Sequence, residues 1–159
     1  MPRSLLLNNA ILMLCCSIYL GTGVTLVFFQ LPLESQLTPE NYAIVFVQPI
    51  ALATTFFTWT VTIMLITGTI MAITEWFSGI RWLPILVLLS VSAAASLTVF
   101  KIFPINQQLA AGVTDQAQVS ALLGEFGRLS RIRFCFWVFQ WLLMMYWFAR
   151  LAARGRADR

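Results

Sequence analysis

TPENYAIVFVQPIALATTFFTWTVTIMLITGTIMAIT, residues 38–74, is the stretch that decides the fold. It opens like a helix. Thr38 is placed to cap it, Pro39 suits the first helical position, and Glu40 favours the positive end of the helix dipole. Apolar character then persists to about residue 73. That is longer than the roughly 20 residues a helix needs to cross the hydrocarbon core of a bilayer. A helix of this length must tilt, kink or project from the membrane, and Pro49 is the place for a kink. Thr54, Thr58 and Thr62 share one face, and Thr60, Thr67 and Thr74 share another at heptad spacing. Threonines in such helices often hydrogen-bond their own backbone. Their faces read as helix-packing surfaces, with a ligand-lining surface as the alternative.

Two further apolar runs flank this one. The first covers residues 5–31 and follows Arg3. It is too long for the 7–15-residue core of a signal peptide, and no A-x-A cleavage site follows it, so a retained helix is expected. The helix is expected to stop near Pro32. Gly21, Thr22, Gly23 and Thr25 form a small-residue patch where another helix can approach. After a short loop at residues 75–81, a third helix is predicted from Trp82 to about Phe100. Its run Ser90, Ser92, Ala93, Ala94, Ala95 and Ser96 is almost all small, which predicts tight packing inside a bundle.

The one sizeable polar region lies between Lys101 and Arg133. Phe103-Pro104-Ile105-Asn106 is expected to break the helix. Asp115 to Gln118 reads as a new helix start, with Val119, Leu122, Leu123, Phe126 and Arg133 near one face. This amphipathic helix can run on into a fourth apolar span that ends near Leu151, before a short basic tail. These readings predict an all-α fold, a four-transmembrane-helix bundle with a small outer cap. It forms a single integral membrane domain, with spans at about 5–31, 42–74, 82–101 and 133–151 and the cap at about 102–132.

Composition agrees. Hydrophobic residues make up 60% of the 159 and charged residues 10%. A typical soluble domain is roughly 45–50% apolar and about 25% charged. The net charge of +4 comes from few basic residues, most of them flanking apolar runs, which suits lipid headgroups rather than nucleic acid. With no histidine, the chain has no imidazole for haem, zinc, copper or a catalytic triad. Cys15, Cys16 and Cys135 match no metal or redox spacing and read as small buried apolar residues. No cofactor and no metal are expected.

Four spans place both termini and the 75–81 loop on one side, with Arg3, Arg81, Arg150, Arg154, Arg156 and Arg159. Lys101, Arg128, Arg131 and Arg133 fall on the other. The positive-inside rule then predicts a multi-pass protein of the inner (plasma) membrane with cytoplasmic N- and C-termini. Trp76, Trp82, Tyr146 and Trp147 fall at one level, as interfacial anchors do.

Polar residues within or beside the spans are the functional candidates: Gln30, Gln48, Glu75, Lys101 and Gln140, with Asn106 and Arg133 at the membrane edge. Lys101, Asn106 and Arg133 are expected to converge on the outer side, with Arg133 near the Pro104–Asn106 corner at the base of the cap. Boundary arginines also serve as snorkelling anchors, and an asparagine after a helix end serves as a cap.

Pro104-Ile105-Asn106, then Leu109-Ala110, then Phe126 and Arg133 ahead of the last span resemble the anthrone oxygenase-like family of small four-helix membrane proteins. The resemblance covers nearly the whole chain in span order and lengths. That family often carries a tryptophan and an asparagine ahead of the arginine, where this chain has Phe126 and Ser130.

Two functions follow. One is a non-catalytic bundle, an accessory, binding or assembly subunit. Its partners would be the lipid bilayer, other membrane subunits or a lipophilic small molecule, with aromatic-rich span four as a contact surface. The alternative, implied by the resemblance, is a cofactor-independent oxygenase acting on a lipophilic anthrone-type aromatic substrate. Arg133 or Lys101 would stabilise the anion and Asn106 would orient it.

Overall fold

The computed structural model describes residues 3–157, with side chains as far as residue 153. Arg159 lies outside the described residues, as do the side chains of Arg154 and Arg156. Within them the fold is all-helical. Four helices are long and apolar enough to cross a membrane: Arg3–Gln36, Ala43–Thr74, Trp82–Ala110 and Gln116–Ala153. The first begins as α1 (Arg3–Val24), and the second is largely α2 (Gln48–Thr74). The third is α3 (Trp82–Leu97) continued by α4 (Phe103–Ala110), and the fourth is α5 (Gln116–Ala157).

Three of these helices contain a π-turn, and each π-turn is followed two residues later by a proline. Thr25–Gln30 precedes Pro32, Ala43–Val47 precedes Pro49, and Thr98–Ile102 precedes Pro104. The cause is local. Proline has no N–H to donate four residues back, and its ring crowds that carbonyl. The carbonyls concerned belong to Phe28, Val45 and Phe100, all inside the π-turns. Widening the turn relieves the crowding without ending the helix. Neither Pro32 nor Phe103-Pro104-Ile105-Asn106 therefore stops its helix as the sequence suggests. The first span continues as a 3-10 segment to Gln36 and the third to Ala110. The third ends at Gly112, whose φ of 91° is the left-handed position that closes a helix C-terminus.

Helix starts use polar side chains. Asp115 accepts from the backbone N–H groups of Ala117 (3.2 Å) and Gln118 (3.3 Å), capping α5. At the second helix Asn41 Oδ1 reaches back to the N–H of Thr38 at 2.8 Å, the carboxamide half of a capping box. Threonines Thr54, Thr58, Thr60, Thr62, Thr67 and Thr74 all donate to the carbonyl four residues back, so their hydroxyls need no external partner.

α1 packs against α2 and α5, and α3 packs against the same two, so α1 faces α3 and α2 faces α5 across the bundle diagonals. Two apolar cores are stacked along the axis. One gathers Leu12, Cys16, Met64, Met71, Leu83, Val87, Met144 and Trp147. The other, at the proline end, gathers Leu31, Tyr42, Ile102, Ile105, Leu109, Val119, Leu123 and Phe126. Tyr42 ties that second core together. Its hydroxyl donates to the Leu109 carbonyl (3.0 Å) and accepts from the Val113 N–H (2.7 Å).

Several side chains sit differently from the sequence reading. Trp147 is buried and donates to Glu75 Oε1 at 3.3 Å, so it is a core residue, not an interfacial anchor. Cys15 and Cys16 are buried, but Cys135 is on the outward face of α5. In the small-residue run only Ser90 and Ala94 are buried, while Ser92 and Ser96 are exposed. Gly23, not Gly21, carries the close approach. A Cβ at Gly23 would lie 2.5 Å from Phe134 and 2.6 Å from Trp137, whereas one at Gly21 would touch nothing.

Gly23→Ala should therefore cost about 1–3 kcal/mol by overpacking, and Gly21→Ala should be neutral or stabilising, when both are unfolded thermally in the same detergent. Tyr42→Phe leaves the buried Val113 N–H without an acceptor, and a loss of about 1–3 kcal/mol is expected in the same measurement.

Candidate functional site

One face of α5 runs the length of the bundle. Val119, Leu123, Phe126, Ser130, Arg133, Trp137, Gln140, Met144 and Trp147 alternate by four and three residues, the spacing of a helix seam facing its neighbours. All are buried except Arg133, which is half-buried. The seam is apolar at both ends and polar in the middle.

All four spans meet around Arg133. Its Nη1 donates to Thr98 Oγ1 at 3.3 Å, and Thr98 in turn donates to the Ala94 carbonyl at 2.8 Å. The guanidinium carbon lies 4.8 Å from the centre of the Trp137 ring, a cation–π contact. Tyr19 of α1 packs on the same tryptophan at 5.1 Å, and its hydroxyl donates to the carbonyl of Phe57 in α2 at 3.0 Å. Among the described residues no carboxylate pairs with Arg133. Among the described residues the one ion pair is Arg128 with Glu125 at the surface, 3.7 Å apart. Arg133 Nε is buried and without a partner.

Among the described residues four more buried polar atoms lack a hydrogen-bond partner: Glu34 Oε2, Asn106 Oδ1, Ser130 Oγ and Gln140 Oε1. Glu34 lies against Gly127, with Oε2 3.0 Å from where a Cβ would stand. Gln140 is half-satisfied, because its Nε2 donates to Ser90 Oγ at 3.2 Å. Buried polar atoms in proteins are paired in the great majority of cases. These unpartnered atoms therefore mark the places in the bundle where polar chemistry is available.

The sequence reading expects Lys101, Asn106 and Arg133 together, and the structure does not join them in one contact. Lys101 is exposed on the Thr98–Ile102 π-turn. Arg133 bonds Thr98, eight residues before Asn106 in the same continuous helix, about 12 Å at 1.5 Å per residue. Asn106 instead lines a cleft between α4 and the start of α2. The expected corner is not there to receive Arg133, because the helix continues through the π-turn and Pro104. The sequence reading did not select Thr98, Trp137, Tyr19 or Ser130. The four-and-three alternation in α5 was the available signal, since it puts Ser130, Arg133 and Trp137 on one face. Gln30 and Gln48 are exposed, and Gln140 is buried.

Comparison of the chain with family models, curated proteins and solved structures finds no match.

A half-buried arginine with one long hydrogen bond, a buried unpartnered Nε and no carboxylate partner is costly for the fold. Arg133→Met keeps the bulk and removes the charge. It should leave thermal stability in detergent unchanged or raise it by about 1 kcal/mol. A drop of several kcal/mol would mean that Arg133 is a structural keystone.

Proposed function

We propose that this chain is a multi-pass protein of a bacterial-type inner (plasma) membrane, a non-catalytic bundle that serves as an accessory, binding or assembly subunit of a membrane complex. Both termini lie in the cytoplasm, and the proline end forms a small outer cap. The observation that carries the membrane part is the outer surface of the four long helices. Phe28, Phe29, Leu52, Trp59, Ile66, Ile73 and Leu142 all face outward, and Leu52 is 80% exposed. Water would make that surface a liability, and lipid makes it ordinary. Orientation rests on charge. Arg3, Arg81 and Arg150 belong to one end and Lys101, Arg128 and Arg131 to the other, with the further arginines of the tail tipping the balance towards cytoplasmic termini. The Tyr42 bonds and the donation from Gln116 Nε2 to the Leu37 carbonyl (3.1 Å) support a cap packed as one unit. A non-catalytic role is supported by the placement of the three candidates: Lys101 is exposed, Asn106 lines the cleft beside α4, and Arg133 bonds Thr98.

Reporter fusions after Arg159 and within residues 32–41 should report opposite sides of the membrane, with the C-terminal one cytoplasmic. Extraction from native membranes in mild detergent should yield a stoichiometric companion protein or lipophilic molecule. The same side for both reporters removes the four-span arrangement.

One observation favours the second reading, a cofactor-independent oxygenase of lipophilic anthrone-type aromatic substrates. Arg133 is a cation against the Trp137 ring with an unused Nε–H, which suits an enolate or phenolate oxygen. Oxygen uptake by membranes supplied with an anthrone, present in the native chain and lost in Arg133→Met, would select this reading over the first.

A further inference from the structure

Spans two and three part where their prolines fall, and a cleft of about 250 Å³ lies between them. Phe46, Val47, Ile50 and Ala51 form one wall, Phe103 and Leu109 the apolar part of the other. The polar lining residues are Thr54, Asn106 and Gln107, and no charged residue contributes. Both walls sit at π-turn and proline joints, a feature often found at functional sites. The walls are braced from behind. Phe126 meets the Phe46 ring edge-on at 4.8 Å, and Tyr42 holds the Leu109 carbonyl.

The polar groups are unequal. Thr54 is already committed to the Ile50 carbonyl at 2.8 Å. The carboxamides of Asn106 and Gln107 remain, and Asn106 Oδ1 has no donor. Asn106 Oδ1 is buried, and because the terminal torsion of asparagine is soft, rotation of the carboxamide brings it to the cleft when a donor enters, without backbone movement. Ala51, Gln107 and Ala110 are exposed at the mouth, and Leu52 beside Ala51 is on the apolar flank.

We propose that this cleft binds the head of a neutral, hydroxyl-bearing lipid, a long-chain alcohol or acylglycerol, with its O–H donating to Asn106 Oδ1 and its chain lying along the Leu52 flank. The inference rests on the membrane reading above. Charged heads are disfavoured, because the lining offers no counter-ion and an unpaired charge is expensive to desolvate. A pure hydrocarbon would leave the Asn106 carbonyl as it is. The volume falls below the roughly 300–1,000 Å³ of a site that encloses a whole drug-sized ligand, so the cleft holds the head and the chain stays in the bilayer.

The test uses the full chain in phosphatidylcholine nanodiscs. The probes are hexadecanol carrying a photoreactive diazirine near the hydroxyl, its methyl ether and the corresponding carboxylic acid, with adducts mapped by mass spectrometry. The alcohol should label residues 46–54 and 103–110 about fivefold more than the ether or the acid, the worth of one hydrogen bond. Asn106→Leu should bring the alcohol down to the level of the ether. Ala51→Phe fills the cleft from its exposed wall and disturbs no packed interior. It should abolish cleft labelling by all probes and decides the question if Asn106→Leu does not fold. Equal labelling by alcohol and ether, or alcohol labelling unchanged in either variant, overturns the proposal. The outward residues Trp59, Ile66 and Ile73, outside both cleft segments, separate the two possible failures. Adducts there without adducts in the cleft sink this inference alone, whereas their absence as well sinks the membrane reading.

Discussion

Three prolines at one end of the bundle set most of its shape. A proline inside a helix deletes one backbone hydrogen bond and pushes away the carbonyl four residues earlier. At Pro32, Pro49 and Pro104 the chain absorbs this as a π-turn and remains helical on both sides. Pro84 needs no such device, because it lies in the first turn of α3, where the N–H has no intrahelical partner anyway. The helices are therefore not cut short at the prolines. They continue as bent extensions, and those extensions build the second apolar core and the cleft beside Asn106.

The interior follows from the same arrangement. Between the two apolar cores Ser130 and Arg133 face inward from α5, and Gln140 faces inward within the first core. In a bundle whose outside is as apolar as its inside, hydrophobic burial gives little preference for one helix rotation over another. Inward polar groups supply that preference, since turning them outwards would expose them to lipid. Close approach supplies the rest. At Gly23 the absence of a side chain lets Phe134 and Trp137 lie directly against the α1 backbone. That places Trp137 under both the guanidinium of Arg133 and the ring of Tyr19.

Arg133 combines stability and chemistry in opposite senses. Thr98 and Trp137 compensate it only in part, and its Nε remains unused. A fold built for stability alone would place an apolar side chain there. Asn106 shows the same tension on a smaller scale at the mouth of its cleft. Both residues lie close to the proline joints, where the backbone already departs from regular geometry.

Hydropathy and spacing in the sequence alone determined that the chain is helical and that four segments are long and apolar enough to cross a membrane; they allowed the helix starting at Asp115–Gln118 to run on into the last span, and the structure makes it one helix. These are local properties, legible from each segment without its neighbours. Helix continuity through Pro32 and Pro104 was not legible, because a proline is as compatible with a stop as with a π-turn. The choice depends on whether a packed core rewards the longer helix. Trp147 looked like an interfacial anchor by level, yet it is 2% exposed, because rotation about the helix axis, not height along it, turns it to Glu75. The candidate site was legible as residues and not as an arrangement. The sequence selected Arg133, Asn106 and Lys101, but only the packing of four helices decided that Arg133 meets Thr98 and Trp137, that Asn106 walls a cleft, and that Lys101 points away. Each of those contacts joins residues on different helices, and the azimuth of one helix against another is set by side chains that no single segment contains.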